Sequence, residues 1–114
     1  MPSNATVGLE RVGPTMLIHV AGEVDMASEE LLRKHLSDAM DEEPAALVLD
    51  LAEVTFFASA GLHVLVDAHH DATARGLALR VVANSRVVLR PMQITGADQL
   101  VTVVASVDQA LSHS

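Results

Sequence analysis

Residues 47–70 read LVLDLAEVTFFASAGLHVLVDAHH, and they hold two periodicities in succession. Leu47 to Leu51 is a short apolar run of strand length, and Leu62, Leu65, Val66 and His69 then recur at helical spacing. The period changes at Ala58-Ser59-Ala60-Gly61. A strand therefore feeds a helix through small residues, with one hydroxyl at the junction. The first turn of a helix carries N–H groups without intrahelical partners and the positive end of the dipole. A phosphate on a serine there, or an anion brought by a partner, is well placed. Small side chains also let a second backbone come close. Such a junction suits a docking surface or a charge switch better than bond-breaking chemistry.

Outward from this stretch, strand and helix signals alternate without repeats or low-complexity linkers. Residues 6–12 alternate loosely as a first strand, Gly13-Pro14 signals a turn, and residues 16–20 form a second strand ended by Ala21-Gly22. Asp25 or Ser28 is placed to cap a helix over about 27–40, with Leu31, Leu32, His35, Leu36 and Ala39 on one face. Pro44 precedes the strand 46–51, and the next helix spans about 59–74 and stops at Arg75-Gly76. Residues 77–83 form the following strand. Asn84 or Ser85 caps a short helix through Leu89, because Pro91 biases Arg90 out of helical geometry. Residues 101–104 are the last strand, and Ser106 caps a final helix through Leu111. The alternation points to an α/β domain with right-handed crossovers and helical cover on its sheet.

The motif V-T-F-F-A-S-A-G-L, from Val54 to Leu62, resembles the signature of STAS domains, the sulfate-transporter and anti-sigma-factor-antagonist family. The family form is an apolar strand ending in Asp-Leu, then V-x-F-[LIM]-D-S-[ST]-G-L. Asp50 and Leu51 match the strand end, Val54 and Phe56 the linker, and Ser59, Gly61 and Leu62 the loop and helix start. Gly22-Glu23-Val24-Asp25 resembles the family's G-E-[LIV]-D before its first helix. The resemblance covers nearly the whole chain. It implies a single STAS-like domain over 1–114, a mixed β-sheet with about four helices mainly on one face. Two positions depart from the pattern. The family's acidic residue before the serine pair is Ala58, and the second hydroxyl residue, the phosphoacceptor of kinase-regulated antagonists, is Ala60. Ser59 corresponds to the first serine of the pair and is left as the candidate phosphorylation site. A-S-A-G-L is similar to a variant of actinobacterial members.

Composition excludes several classes. The chain has 114 residues, of which 50% are apolar and 2% aromatic, so one core built from Val, Leu, Ile and Ala is expected. The formal charge is −8, which disfavours nucleic acid as a partner and favours a protein with a basic patch. There is no cysteine, hence no disulfide, thiolate metal site or catalytic thiol. The start, MPSNATVGLERVG, lacks a basic region followed by a long apolar run, and no apolar run reaches membrane-spanning length. The expectation is a cytoplasmic protein without direct membrane insertion.

Several residues invite sharper readings. His63, Asp67 and His70 fall at i, i+4 and i+7 of the second helix, with types that bind metals. A solvated face with a His–Asp contact is the reading preferred, and no metal or cofactor is expected. His69 lies on the apolar stripe and reads as packing. Ser59 lacks the G-x-S-x-G elbow of a hydrolase nucleophile, and His19, His35 or His69 would have to meet it in space. The plain reading of Ser59 is a helix N-cap. Asp25 and Asp50 are candidate paired carboxylates, set against a helix cap and a strand end respectively. Asp41-Glu42-Glu43 reads as a solvated helix end, and Gly76 and Gly96 as turn glycines.

The resemblance implies an anti-sigma factor antagonist rather than an enzyme. Its partner would be an anti-sigma factor of the serine-protein-kinase type, whose capture releases a sigma factor for transcription. The partner-binding residues it implies are Asp25, Ala58, Ser59, Ala60, Gly61, Leu62 and His63. Leu62→Asp or Gly61→Arg is expected to abolish partner capture while leaving the fold soluble. The alternative is a STAS subunit of a membrane lipid-transport complex, with the same surface on a transporter ATPase.

Overall fold

The computed structural model describes residues 4–112. It contains five strands, β1 (Ala5–Val12), β2 (Thr15–Val24), β3 (Ala46–Phe57), β4 (Ala78–Val82) and β5 (Thr102–Val104). Its four α-helices are α1 (Glu29–Asp41), α2 (Ser59–Ala74), α3 (Arg86–Thr95) and α4 (Val107–Ser112), with short 3-10 turns at Met26–Ser28 and Ala97–Gln99. The sheet order is β1-β2-β3-β4-β5. β1 pairs antiparallel with β2, and every later pair is parallel.

The centre of the sheet is apolar on both faces, which is why residues 46–49 read as a continuous apolar run rather than an alternation. Ile18, Val20, Leu47, Leu49, Leu51 and Val81 face the main core under α1, α2 and α3. Leu17, Val48 and Val82 face the other way, onto Ala110 of α4. Three helices thus cover one face and a single short helix crosses the other, as the family resemblance implies.

The helix ends follow local chemistry. Leu77 N–H returns to the Ala72 carbonyl at 2.8 Å around Gly76, closing α2 at the expected Arg75-Gly76. The Ser106 hydroxyl accepts the Gln109 N–H at 3.1 Å and caps α4, again as expected. α1 and α2 are tied by Arg33, which bridges Glu29 at 3.0 Å and Asp67 at 2.8 Å.

Four elements differ from the sequence reading. β2 runs past Gly22 to Val24, which is buried. β3 runs to Phe57 instead of stopping at Leu51; Val54 and Phe57 keep an inward set, while register shifts against β2 turn Glu53, Thr55 and Phe56 outward. α3 continues through Pro91 to Thr95. Val88 and Met92 are both fully buried on either side of the proline, so core packing holds Arg90 helical against its local preference. The buried stripe of α2 is Ala60, Gly61, Val64, Leu65, Ala68 and Ala72, rotated from the predicted one. Leu62, Val66 and His69 sit half-buried on its margin, because alanines and a glycine let the helix lie close to the sheet.

Candidate protein-docking site

Two motifs far apart in sequence meet beyond the carboxyl ends of β2 and β3. The pairing of these strands ends with Val24 opposite Phe57, and the Ala58 N–H donates to the Val24 carbonyl at 2.9 Å. Gly22–Asp25 therefore lies beside the Ala58–Leu62 turn. The carboxyl end of parallel strands is where open α/β sheets place their sites.

Asp25 is the cap at this corner. Its carboxylate accepts the Ala27 N–H at 3.0 Å, and the Ser28 hydroxyl accepts the Asp25 N–H at 2.8 Å, a reciprocal capping box. Asp50 is elsewhere. It lies mid-strand, not at a strand end, and seven residues before Phe57, roughly 20 Å along β3. It points to the sheet face of α4, where Asp50 Oδ2 lies 3.0 Å from His19 Nδ1 and Glu10 Oε1 lies 2.9 Å from His19 Nε2. The hydrogen bond to Glu10, with that to Asp50, raises the His19 pKa above its ordinary value against the desolvation that lowers it. The two aspartates are not a carboxylate pair.

Ser59 is not the N-cap of α2. The cap position is Ala58, extended at φ −88 and ψ 176, and it has no side-chain oxygen to offer. Ser59 is the first helical residue, exposed, with no hydrogen bond to its hydroxyl among the described residues. The helix start is left open toward solvent, with its positive dipole end uncapped. Ala60, the position that the resemblance makes the acceptor, is only 8% exposed. Gly61 is buried as well: a Cβ there would stand 2.7 Å from Phe57 Cε1 and 2.9 Å from Val24 Cγ1. Gly61→Arg would break the fold and is not the surface probe that the sequence suggested.

The expected interface set therefore divides. Ser59 and His63 are exposed, and Asp25, Ala58 and Leu62 are half-buried. Ala60 and Gly61 lie beneath and set how closely α2 approaches the ends of β2 and β3. Beside them, Ser59, Leu62, His63 and Val66 face Thr95, Ala97 and Leu100 across a groove of about 280 Å³. The far wall escaped the sequence reading, because it follows Pro91, where α3 was expected to have ended.

The other candidates have their own partners. Asp67 is engaged by Arg33, and the His69 and His70 rings lie 5.5 Å apart, tilted. Among the described residues no group of three or more His, Asp or Glu side chains comes together to hold a metal. His19 is held by Glu10 and Asp50, and His35 Nδ1 lies 2.8 Å from the Leu31 carbonyl oxygen. None of His19, His35 and His69 hydrogen-bonds Ser59. What the corner offers chemically is shape, an open helix start and apolar walls.

The fold as a whole has close counterparts among known proteins. The STAS domain pattern matches residues 6–110. The chain belongs to the STAS domain family. Over 111 residues it is 27% identical to the anti-sigma-F factor antagonist RsfB of Mycobacterium tuberculosis, covering 97% of this chain and 90% of that protein. The crystal structure of an anti-sigma factor antagonist from Mycobacterium paratuberculosis superposes with a TM-score of 0.90 at 27% identity, covering 98% of this chain and 97% of that one. SpoIIAA in its unphosphorylated form shares the fold at a TM-score of 0.79 and 20% identity, with 93% of each chain covered. No helix among the described residues is long and apolar enough to cross a membrane.

Proposed function

We propose that this chain is an anti-sigma factor antagonist of the partner-switching type. It binds an anti-sigma factor of the serine-protein-kinase type in the cytoplasm, and a sigma factor is released by competition rather than by catalysis. The observation that carries this reading is the near end-to-end similarity to RsfB, a protein named as an anti-sigma-F factor antagonist. The exposed corner of Ser59, Leu62 and His63, with Asp25 beside it, supports it as the contact surface. The relatives' names favour this reading over the transporter-subunit one.

The chain binds without the phosphorylation switch at the family's acceptor position, since Ala60 has no hydroxyl and faces inward. Ser59 is the hydroxyl that a kinase would reach, one residue and about 100° of helix away. Affinity capture with identification of the partner, then size exclusion of the purified pair, tests the assignment. A one-to-one complex with an anti-sigma factor is expected for wild type, with loss of the complex in Ser59→Glu and His63→Glu. Incubating the pair with ATP should leave the intact mass of this chain unchanged. Complete phosphorylation that disappears in Ser59→Ala would refute the missing switch, and failure to bind any anti-sigma factor would refute the function.

A further inference from the structure

The basic residues of this acidic chain are unevenly employed. It has 7 Lys and Arg against 15 Asp and Glu. Arg33, Lys34 and Arg75 are engaged by carboxylates. Arg80 donates to the Ala110 carbonyl, and the Arg11 guanidinium lies 3.8 Å from Met16 Sδ. Arg86 and Arg90 are left, exposed and without a hydrogen-bond or ion-pair partner among the described residues. They stand one helical turn apart on α3, so both cations project from the same side.

That side is also apolar. Phe56 is 51% exposed, Val87 40% and Ile94 73%, although each is a large hydrophobic residue. With Arg86, Arg90 and Pro91 they border one shallow depression of about 510 Å³. Singly exposed apolar residues are ordinary, but here three are gathered at one depression and rimmed by charge, which offers a partner both apolar and ionic contacts. The net charge of −8 sharpens the point, because two unneutralised cations beside an apolar patch oppose the field of the whole molecule.

We propose that the Phe56–α3 face is a docking surface for an acidic, apolar-faced segment of a partner protein. Carboxylates one turn apart on that segment pair with Arg86 and Arg90, while its apolar side chains cover Phe56, Val87 and Ile94. Guanidinium groups are suited to this role because they bind carboxylates in a planar, two-point geometry. The surface is distinct from the Ser59 corner but continuous with it, since Thr95 borders both depressions. A partner seated on the corner can reach it, yet the proposal does not require that the partner be an anti-sigma factor.

The test uses two fluorescein-labelled helical peptides with the same Leu face, one carrying Glu and the other Lys at paired i, i+4 positions. Anisotropy at low and high salt and amide shift mapping on the intact chain give the readout. Wild type should bind the Glu peptide and not the Lys peptide, with shifts centred on Phe56 and α3 and affinity falling as salt rises. Arg86→Glu/Arg90→Glu should invert the preference, and Ile94→Ser should weaken binding of the Glu peptide at least tenfold. Equal binding of the two peptides, no binding of the Glu peptide, or shifts confined to Leu62, His63 and Leu100 would overturn the proposal. Self-association of the free protein that vanishes in the double arginine variant would assign the face to a second copy and overturn it too. Retained Glu-peptide binding in a protein that captures no anti-sigma factor would leave this surface standing while the antagonist assignment fell.

Discussion

Gly61→Ala is the smallest change that tests how the proposed docking corner is built. The added methyl would lie 2.7 Å from Phe57 Cε1 and 2.9 Å from Val24 Cγ1, and both neighbours are buried. Ordinary carbon contacts lie near 3.5–4.0 Å, so one of the three groups must move by roughly an ångström. Overpacking of this kind costs about 1–3 kcal/mol, whereas replacing glycine with alanine inside a helix returns about 0.5–1 kcal/mol. Steric cost wins, and the net loss should be about 1–2 kcal/mol, or about 4–8 °C in Tm. Gly8→Ala, in β1, is a control without a clash, because nothing lies within 4 Å of its added methyl. A double-mutant cycle with Val24→Ala identifies the contact: removing Cγ1 should restore at least about 0.5 kcal/mol relative to additivity. Thermal melts and urea titrations of the four proteins suffice. A Gly61→Ala protein as stable as wild type, with no coupling to Val24, would refute the view that this contact positions α2. The same displacement moves Ser59 and Leu62, so partner affinity should fall with stability in Gly61→Ala.

Three further expectations concern other parts of the fold. The folded pKa of His19 is raised above 6.5, so its pairing with Glu10 and Asp50 stabilises fully below that ordinary value and is lost as pH rises through the folded one; Tm should fall across this window, and His19→Gln should abolish that part of the dependence in melts at about pH 6 and about pH 8.5. Asp25→Ala should cost about 0.5–2 kcal/mol in chemical denaturation through loss of the capping box, whereas Asp25→Asn keeps an acceptor and should cost less, so binding lost in Asp25→Asn reports on charge at the interface. Pro91→Ala restores an N–H inside α3 and should raise Tm slightly, the gain from the helix exceeding the added freedom of the unfolded chain; a lowered Tm would show that the proline is needed where it stands.

The parts of this fold that were legible in the sequence are those decided by local chemistry. Asp25, Ser106 and Gly76 act at helix ends through their own side chains or backbone freedom, and each does so where a cap or stop was expected. The largely apolar stretch at residues 46–51, broken only by Asp50, marks the centre of the sheet because both faces there are buried. What was not legible depends on partners remote in sequence. β3 extends past Leu51 because β2 continues alongside it, and the register shifts between them hide the alternation. Residue type alone makes Ser59 the cap, but Ala58 is the last extended residue and its carbonyl accepts the first helical N–H groups, so Ser59 falls one position inside the helix. The stripe of α2 is expected on Leu62, Leu65, Val66 and His69, whereas the buried set keeps only Leu65 of these and turns toward small residues, Gly61 above all, that allow close approach. Pro91 had the widest consequence. As an interior proline it argued for ending α3 at Leu89, but Val88 and Met92 are buried deeply enough to carry the helix through it. That continuation brings Ile94 and Thr95 beside Phe56 and builds the far wall of the groove next to Ser59. The surface features most relevant to a partner thus arise where tertiary packing overrules a local preference. No window of sequence confined to either side of Pro91 contains both halves of that information.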